Sequence, residues 1–367
     1  MKADTEGTAG SGIDPVTFVR PELRALKPYH LDLAPCAHKL DQNEVPWDLP
    51  RRLKRAIAEA LVERDWARYP DFHADVLRER LGAAYGWPAA GVLVGNGSNE
   101  LLGVALEALT PIGGEVLGVE PSFGLYPALV RKSGGALRGV RAASDMRLPL
   151  EALEREIERD PTRPVLLCTP NNPTGAAATP CEVERLLERL RAPLLLDNAY
   201  GEFCNHDYLP LLHVHPHLVI FRTFSKAWSL AGLRLGYLLA DPRLVEQLLK
   251  IKLPYNLGHG TAIAGAQVLA ARDVAERRVR VLRGRRSQWA AMLADAGLQV
   301  FPSEANFILV RHQASERLRD GLEARGIRVR DVGGYVGLTG CLRVSVGDGR
   351  SLRAVRRALS EIGRGVS

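Results

Sequence analysis

The chain has 367 residues, 46% of them hydrophobic and 25% charged, which suits one large domain plus a smaller one around a substantial core. Its net charge of +7 is arginine charge: eight lysines (2, 27, 39, 54, 132, 226, 250 and 252) leave 41 of the 49 basic residues as Arg. The arginines alternate with Glu in "EALEREIERD" and "EVERLLERLRAP", a pattern of solvated, ion-paired helix faces, and no basic block with interleaved aromatics points to nucleic acid.

The N-terminal "MKADTEGTAGSGIDP" is polar and Gly-rich and lacks the apolar core of a signal peptide, so residues 1–20 are expected to be a flexible leader. No apolar run reaches the ~18 residues of a membrane span. Five scattered cysteines (36, 168, 181, 204 and 341) form no C-x-x-C pair, which favours reduced thiols and a cytoplasmic location. The "HVHPH" at 213–217 carries a proline and has no Cys/His pair at finger spacing, so no metal is expected.

Residues 21–50 are rich in proline and polar side chains and are expected to pack on the smaller domain. Seven strands are then predicted: 92–97, 115–121, 136–141, 165–170, 194–200, 218–224 and 235–240. Amphipathic segments at 98–110, 122–134, 149–159 and 180–191 alternate with them. This alternation predicts an α/β fold with a mostly parallel seven-stranded sheet flanked by helices. Residues 242–299 read as largely helical. Strand-like pieces at 300–311, 326–330 and 341–347, with helices at 315–325 and 351–362, suggest a small α+β domain. The expected division is 48–255 for the large domain, and 21–47 with 256–367 for the small one.

Ligands in such sheets sit beyond the carboxyl ends of the strands, and several polar residues fall there. "GNGSNE" (95–100) opens a helix with two glycines and a serine, a shape able to hold phosphate on backbone N–H groups. "TPNNPTG" (169–175) projects paired amides from a rigid turn. "LLLDNAY" (194–200) drives Asp197 to the end of a very apolar strand, where a carboxylate needs a cationic partner. "TFSKAWSLAGLRLG" (223–236) places Lys226 at another strand end, between Ser225 and Arg234. In apolar, cation-rich surroundings a lysine ammonium is disfavoured, and the neutral amine can form a Schiff base with a carbonyl. Ser225 and Arg234 suit a phosphate beside it. Together these residues describe a pyridoxal 5'-phosphate site.

From about residue 20 to 362 the sequence resembles the fold-type I, pyridoxal-phosphate-dependent aminotransferases of class I/II, and within them the histidinol-phosphate aminotransferases. The resemblance is carried by "KLDQNEVP" (39–46), "RYP" (68–70), "GNGSNE", "PSFGLY" (121–126), "PNNPTG", "DNAY" (197–200), "TFSKAWSLAGLRLGY", "ANFILVR" and "RVRD…GCLRVSVG". It implies that Lys226 binds the cofactor as a Schiff base and shuttles a proton, and that Asp197 pairs with the pyridinium nitrogen. It further implies that Tyr200 and Asn172 bond the ring 3-oxygen and that Phe123 stacks on the ring. Ser98, Asn99, Ser225 and Arg234 would hold the phosphate, and Tyr69 would reach that phosphate across a homodimer. Arg330 and Arg343 would bind the anionic end of the substrate, with Tyr29 and Asn43 in the segment that closes over it. Three positions depart from the usual pattern: Asn198 stands for Glu, Val45 for Asn, and Trp228 for Phe.

The implied reaction passes the amine of L-histidinol phosphate to 2-oxoglutarate, giving imidazole-acetol phosphate and L-glutamate. Relatives on the same fold act on aromatic amino acids or decarboxylate threonine phosphate. A non-catalytic cofactor-binding regulator is disfavoured, because such proteins carry an added DNA-binding domain and the leader is too short for one.

Overall fold

The computed structural model describes residues 14–24, 26 and 35–364. Residues 1–32 and 33–367 form separate compact units. Within the first, Asp14 caps a single turn at Pro15–Phe18 by accepting from the Val16 N–H, and a short helix α1 follows at Pro21–Arg24.

The second unit contains two sheets. In chain order its elements are β1 (His38–Leu40), α2 (Arg51–Val62), α3 (Asp75–Tyr85), β2 (Val92–Gly95), α4 (Ser98–Leu109), β3 (Glu115–Glu120), α5 (Tyr126–Lys132), β4 (Ala136–Arg141) and α6 (Leu150–Arg159). Then follow β5 (Val165–Cys168), α7 (Pro180–Arg189), β6 (Leu194–Asp197), β7 (Leu218–Thr223), β8 (Gly236–Leu239), α8 (Pro242–Leu249), α9 (His259–Ala270) and α10 (Arg272–Asp295). The chain ends with β9 (Gln299–Val300), β10 (Phe307–Arg311), α11 (Ser315–Glu323), β11 (Ile327–Asp331), β12 (Cys341–Ser345) and α12 (Gly349–Arg364).

The seven predicted strands form one sheet in the order β2-β8-β7-β6-β5-β3-β4, in which only β8 runs against the rest. Both faces are covered, which is why its inner strands read as continuous apolar runs; the edge strand β4 has no buried residue. Leu93, Leu195, Val219 and Phe221 pack with α4, α5 and α8, while Val94, Leu196, Ile220 and Leu239 join the larger core on the other face. The Arg/Glu alternation produces the expected surface pairs: Arg185–Glu154 at 3.0 Å and Arg189–Glu158 at 3.2 Å link α7 to α6.

The smaller sheet has the order β1-β11-β12-β10-β9. Its edge strand β1 comes from the N-terminal segment and lies parallel to β11, His38 opposite Ile327. Helices α2 and α3 were given no place by sequence pattern. Neither has a side-chain N-cap: Pro50 precedes α2, and a left-handed Ala74 precedes α3, so the usual start signals are missing.

Candidate active site

Strand register gathers the polar motifs on one edge of the large sheet. Gly95, the last residue of β2, pairs with Gly236, the first of β8, and Gly236 pairs with Thr223, the last of β7. Asp197 ends β6 opposite Phe221, and Cys168 ends β5 opposite Asp197. Because β8 is reversed, the turn before it, with Arg234, lies on the same edge as the turn after β7, with Ser225 and Lys226.

Lys226 donates from Nζ to the Gln42 carbonyl at 2.8 Å. Burial, reinforced by Arg343, Arg234 and Lys39 and opposed by Glu44, brings its pKa down from 10.5 to about 7. A side chain with part of its surface accessible thus presents an amine of which about half is neutral, and so nucleophilic, near pH 7.

Asp197 is buried and held by two donors: the Tyr126 hydroxyl reaches Oδ2 at 2.7 Å, and the Ala199 N–H reaches Oδ1 at 3.1 Å. Burial still raises its pKa against those bonds. Tyr200 is buried too; its hydroxyl accepts from Asn43 Nδ2 at 2.9 Å, and burial raises its pKa. Asn43 has φ +55° and is tied on three sides. Its N–H donates to Ser345 Oγ at 3.0 Å, its carbonyl accepts from Asn306, and its amide meets Tyr200. It is therefore a fixed strut of the site floor.

On the opposite side Arg234 donates to Ser225 Oγ at 3.2 Å. Gly97, at φ +77°, precedes α4, and a Cβ on it would come within 2.8 Å of Arg234 Nη2. The guanidinium therefore abuts the first turn of α4, which begins with buried Ser98 and half-buried Asn99. The free N–H groups of that turn, a hydroxyl and a guanidinium converge on one point, an arrangement that selects a phosphate dianion.

Arg343, on β12, donates from Nη1 to Asn172 Oδ1 and from Nη2 to the Asp41 carbonyl, and lies over the Phe307 ring at 5.4 Å. Arg330 is its direct cross-strand partner on β11, so both side chains leave the same sheet face. Asn171, beside Asn172, ties the turn to its neighbour by bonding Ser122 at 2.7 Å and the Pro121 carbonyl at 2.9 Å. Phe123 follows in that neighbouring turn, edge-on to Tyr126 at 5.5 Å.

Tyr69 is not brought to this cluster. It is 79% exposed and stacks on Tyr255 at 4.6 Å. Tyr29 lies outside the described residues.

The profile of the family described as "Aminotransferase class I and II" matches residues 37–362. The chain belongs to the class I and II aminotransferases. A curated relative, the histidinol-phosphate aminotransferase of Chromobacterium violaceum, is 37% identical over 333 residues, covering 90% of this chain and 93% of the relative. The crystal structure of histidinol-phosphate aminotransferase from Sinorhizobium meliloti in complex with pyridoxal-5'-phosphate superposes with TM-score 0.86 at 26% identity, covering 96% and 99% of the two chains. L-threonine-O-3-phosphate decarboxylase from Porphyromonas gingivalis shares the fold, with TM-score 0.77 at 21% identity, covering 89% of this chain and 99% of that one.

An aminotransferase of this family depends on pyridoxal phosphate, and the donor set here fits that group. A buried carboxylate suits a protonated ring nitrogen, a depressed lysine suits an aldehyde, and the cradle at Gly97 suits a phosphate. Sequence reasoning missed three contributors to the aminotransferase site. Tyr126 reads as a core aromatic of an amphipathic helix, although it stands in the quoted "PSFGLY". The carbonyls of Asp41 and Gln42 act through the backbone, for which a side-chain motif carries no signal.

Proposed function

We propose that this aminotransferase moves the amine of L-histidinol phosphate to 2-oxoglutarate in a ping-pong cycle, yielding imidazole-acetol phosphate and L-glutamate in histidine biosynthesis. The observation that carries the reading is the Arg330–Arg343 cross-strand pair, of which Arg343 is near enough for its charge to act on Lys226. Two adjacent guanidiniums suit a phosphate monoester, and they equally suit the second carboxylate of glutamate. The name of the Chromobacterium relative supports the same substrate.

Bound pyridoxal phosphate supplies an aldehyde and a ring that accepts electrons from the substrate Cα. Lys226 would hold the cofactor aldehyde through Nζ, and its amine, with a pKa of about 7, would be suited to take a proton from the substrate Cα and give it back. Asp197, kept in place by Tyr126 and Ala199, would face the ring nitrogen, whose positive charge would offset the burial that raises the carboxyl pKa, and would hold the proton there. Tyr200 keeps its hydroxyl proton to donate, since Asn43 occupies it as an acceptor. Asn172 has Oδ1 committed to Arg343, which leaves its Nδ2 for the ring 3-oxygen. Phe123 covers the ring, and Ser98, Asn99, Ser225 and Arg234 hold the phosphate. Arg330 and Arg343 orient the substrate anion, while Asn43, expected to close over it, is tied to Ser345, Asn306 and Tyr200 and serves the pocket floor instead.

The working unit is a homodimer in the cytoplasm, Tyr69 crossing to the other subunit's cofactor phosphate. The division into a large domain (48–255) and a small one (21–47 with 256–367) is proposed, and the pairing of β1 with β11 supports it for residues 38–40.

A half-reaction tests the substrate. The cofactor-loaded enzyme is given histidinol phosphate, phenylalanine or threonine phosphate separately, with no keto acid. Histidinol phosphate should bleach the visible cofactor band at the lowest concentration. Faster bleaching by phenylalanine, or carbon dioxide release from threonine phosphate, would overturn the substrate and leave the enzyme class standing.

A further inference from the structure

Along β7 the side chains alternate: Leu218 and Ile220 enter the larger core, Val219 and Phe221 the other. The next residue on the larger-core face is Arg222, two past Ile220. A guanidinium here is costly unless it is paired. It is paired with Glu202 at 3.0 Å, their side chains only 13% and 12% exposed. Arg222 Nη1 also donates to Asn198 Oδ1 at 2.8 Å, while Asn198 Nδ2 donates to the Thr169 carbonyl at 2.6 Å. Glu202 Oε1 accepts a second bond, from Trp228 Nε1 at 3.1 Å. The guanidinium lies over the Tyr85 ring at 5.7 Å.

These bonds have a particular geography. Asn198 and Glu202 bracket the turn that carries Tyr200 and adjoins Asp197. Trp228 stands two residues after Lys226, and Arg222 four before it. One carboxylate, Glu202, therefore touches both the acid-bearing turn and the lysine-bearing turn. A cavity of about 220 Å³ lined by Tyr85, Glu202, Arg222 and Trp228 lies behind the pair. Close packing alone does not fix these groups; the polar bonds do.

We infer that Arg222, Glu202 and Trp228 form a positioning brace that sets the spacing of Lys226 from Asp197 and Tyr200. None of the three touches the reacting atoms. This inference rests on the reading of Lys226 and Asp197 as cofactor-binding residues.

Two variants test it in the cofactor-loaded enzyme. Trp228→Phe keeps a ring and removes the N–H; Glu202→Gln keeps an acceptor and removes the charge. Four quantities are read: kcat, KM, the pH midpoint of the visible band, and the unfolding midpoint of the cofactor-free protein. Losing one hydrogen bond to a charged group should lower kcat about tenfold in Trp228→Phe, with KM within about twofold of wild type. The band's pH midpoint should move by about half a unit, while the unfolding midpoint stays within about 3 °C. Glu202→Gln should move the same quantities further. Wild-type kcat and midpoint in Trp228→Phe would overturn the brace, as would losses that merely follow the unfolding midpoint. If Glu202→Gln does not fold, Trp228→Phe decides alone. Lys226→Ala is the control: persistence of the lysine-bound band there would sink the reading of Lys226 itself, a result separate from failure of the brace.

Discussion

Lys226 sits where an ammonium is poorly tolerated, and that is the root of its usefulness. With its pKa brought to about 7 by burial and by Arg343, cofactor uptake by the cofactor-free protein should rise with pH to a midpoint near 7. A midpoint near 10, the range of an ordinary lysine, would contradict this. The sign for stability follows from proton counts. Between about 7 and 10.5 the unfolded chain binds more protons at this residue than the folded one, so stability gains with rising pH. Lys226→Met should therefore stabilise the cofactor-free protein most below pH 7, with the advantage gone near pH 10.5, as chemical denaturation across that range would show. At this scale the sequence was informative wherever a charge interrupted an apolar strand end, as at Lys226 and Asp197. It was silent on Tyr126, because a buried phenol and a buried phenylalanine leave the same periodicity. The departure at Asn198 also gains a reason: its amide both accepts from Arg222 and donates to Thr169, and an ionised glutamate could only accept.

Among elements, the reversed strand β8 does the gathering. It brings Arg234 against Gly97 at the start of α4, so a side chain there would push the guanidinium out of the cradle. Gly97→Ala would also be held at φ +77°, ψ 165°, a backbone region almost confined to glycine that costs an ordinary residue about 1–3 kcal/mol. We expect roughly tenfold or greater loss of pyridoxal phosphate affinity, measured by titrating the cofactor-free protein, with the fold retained by circular dichroism. Unchanged affinity would show that the cradle does not hold the phosphate. Most strands of the large sheet were legible because burial on both faces makes them continuous apolar runs; the edge strand β4, with no buried residue and with Arg138 and Arg141 in it, was legible only from its place in the alternation. The strand order was not, since nothing local records which neighbour β8 joins. Helices α2 and α3 escaped for a different reason, the absence of capping side chains.

For the whole molecule, exposed aromatics at Trp66, Tyr69, Phe72 and Tyr255 and the apolar Leu253 call for cover. Sedimentation should give twice the 40.2 kDa chain mass. Tyr69→Ala should keep that mass while weakening cofactor binding by about tenfold, the scale of one lost charge-assisted bond. A monomer with full activity would refute the shared site. Homology-bearing motifs made this expectation readable in sequence. The joining of the N-terminal segment to the C-terminal third was also expected from sequence; that it is made by a strand parallel to β11 was not, because the three residues of β1 leave no pattern of their own.

That pairing has a consequence for biosynthesis. Asn43 meets Ser345 across 302 residues of chain, so the floor of the pocket is completed only when β12 has been made. At ordinary translation rates the N-terminal segment waits about 15–60 s for its partners. Lys226 is made 119 residues before Ser345 (345 less 226), so for about 6–24 s it stands in a half-built pocket; until Arg343 arrives on β12 it keeps more of an ordinary lysine's proton, which shields it from stray aldehydes in the cell.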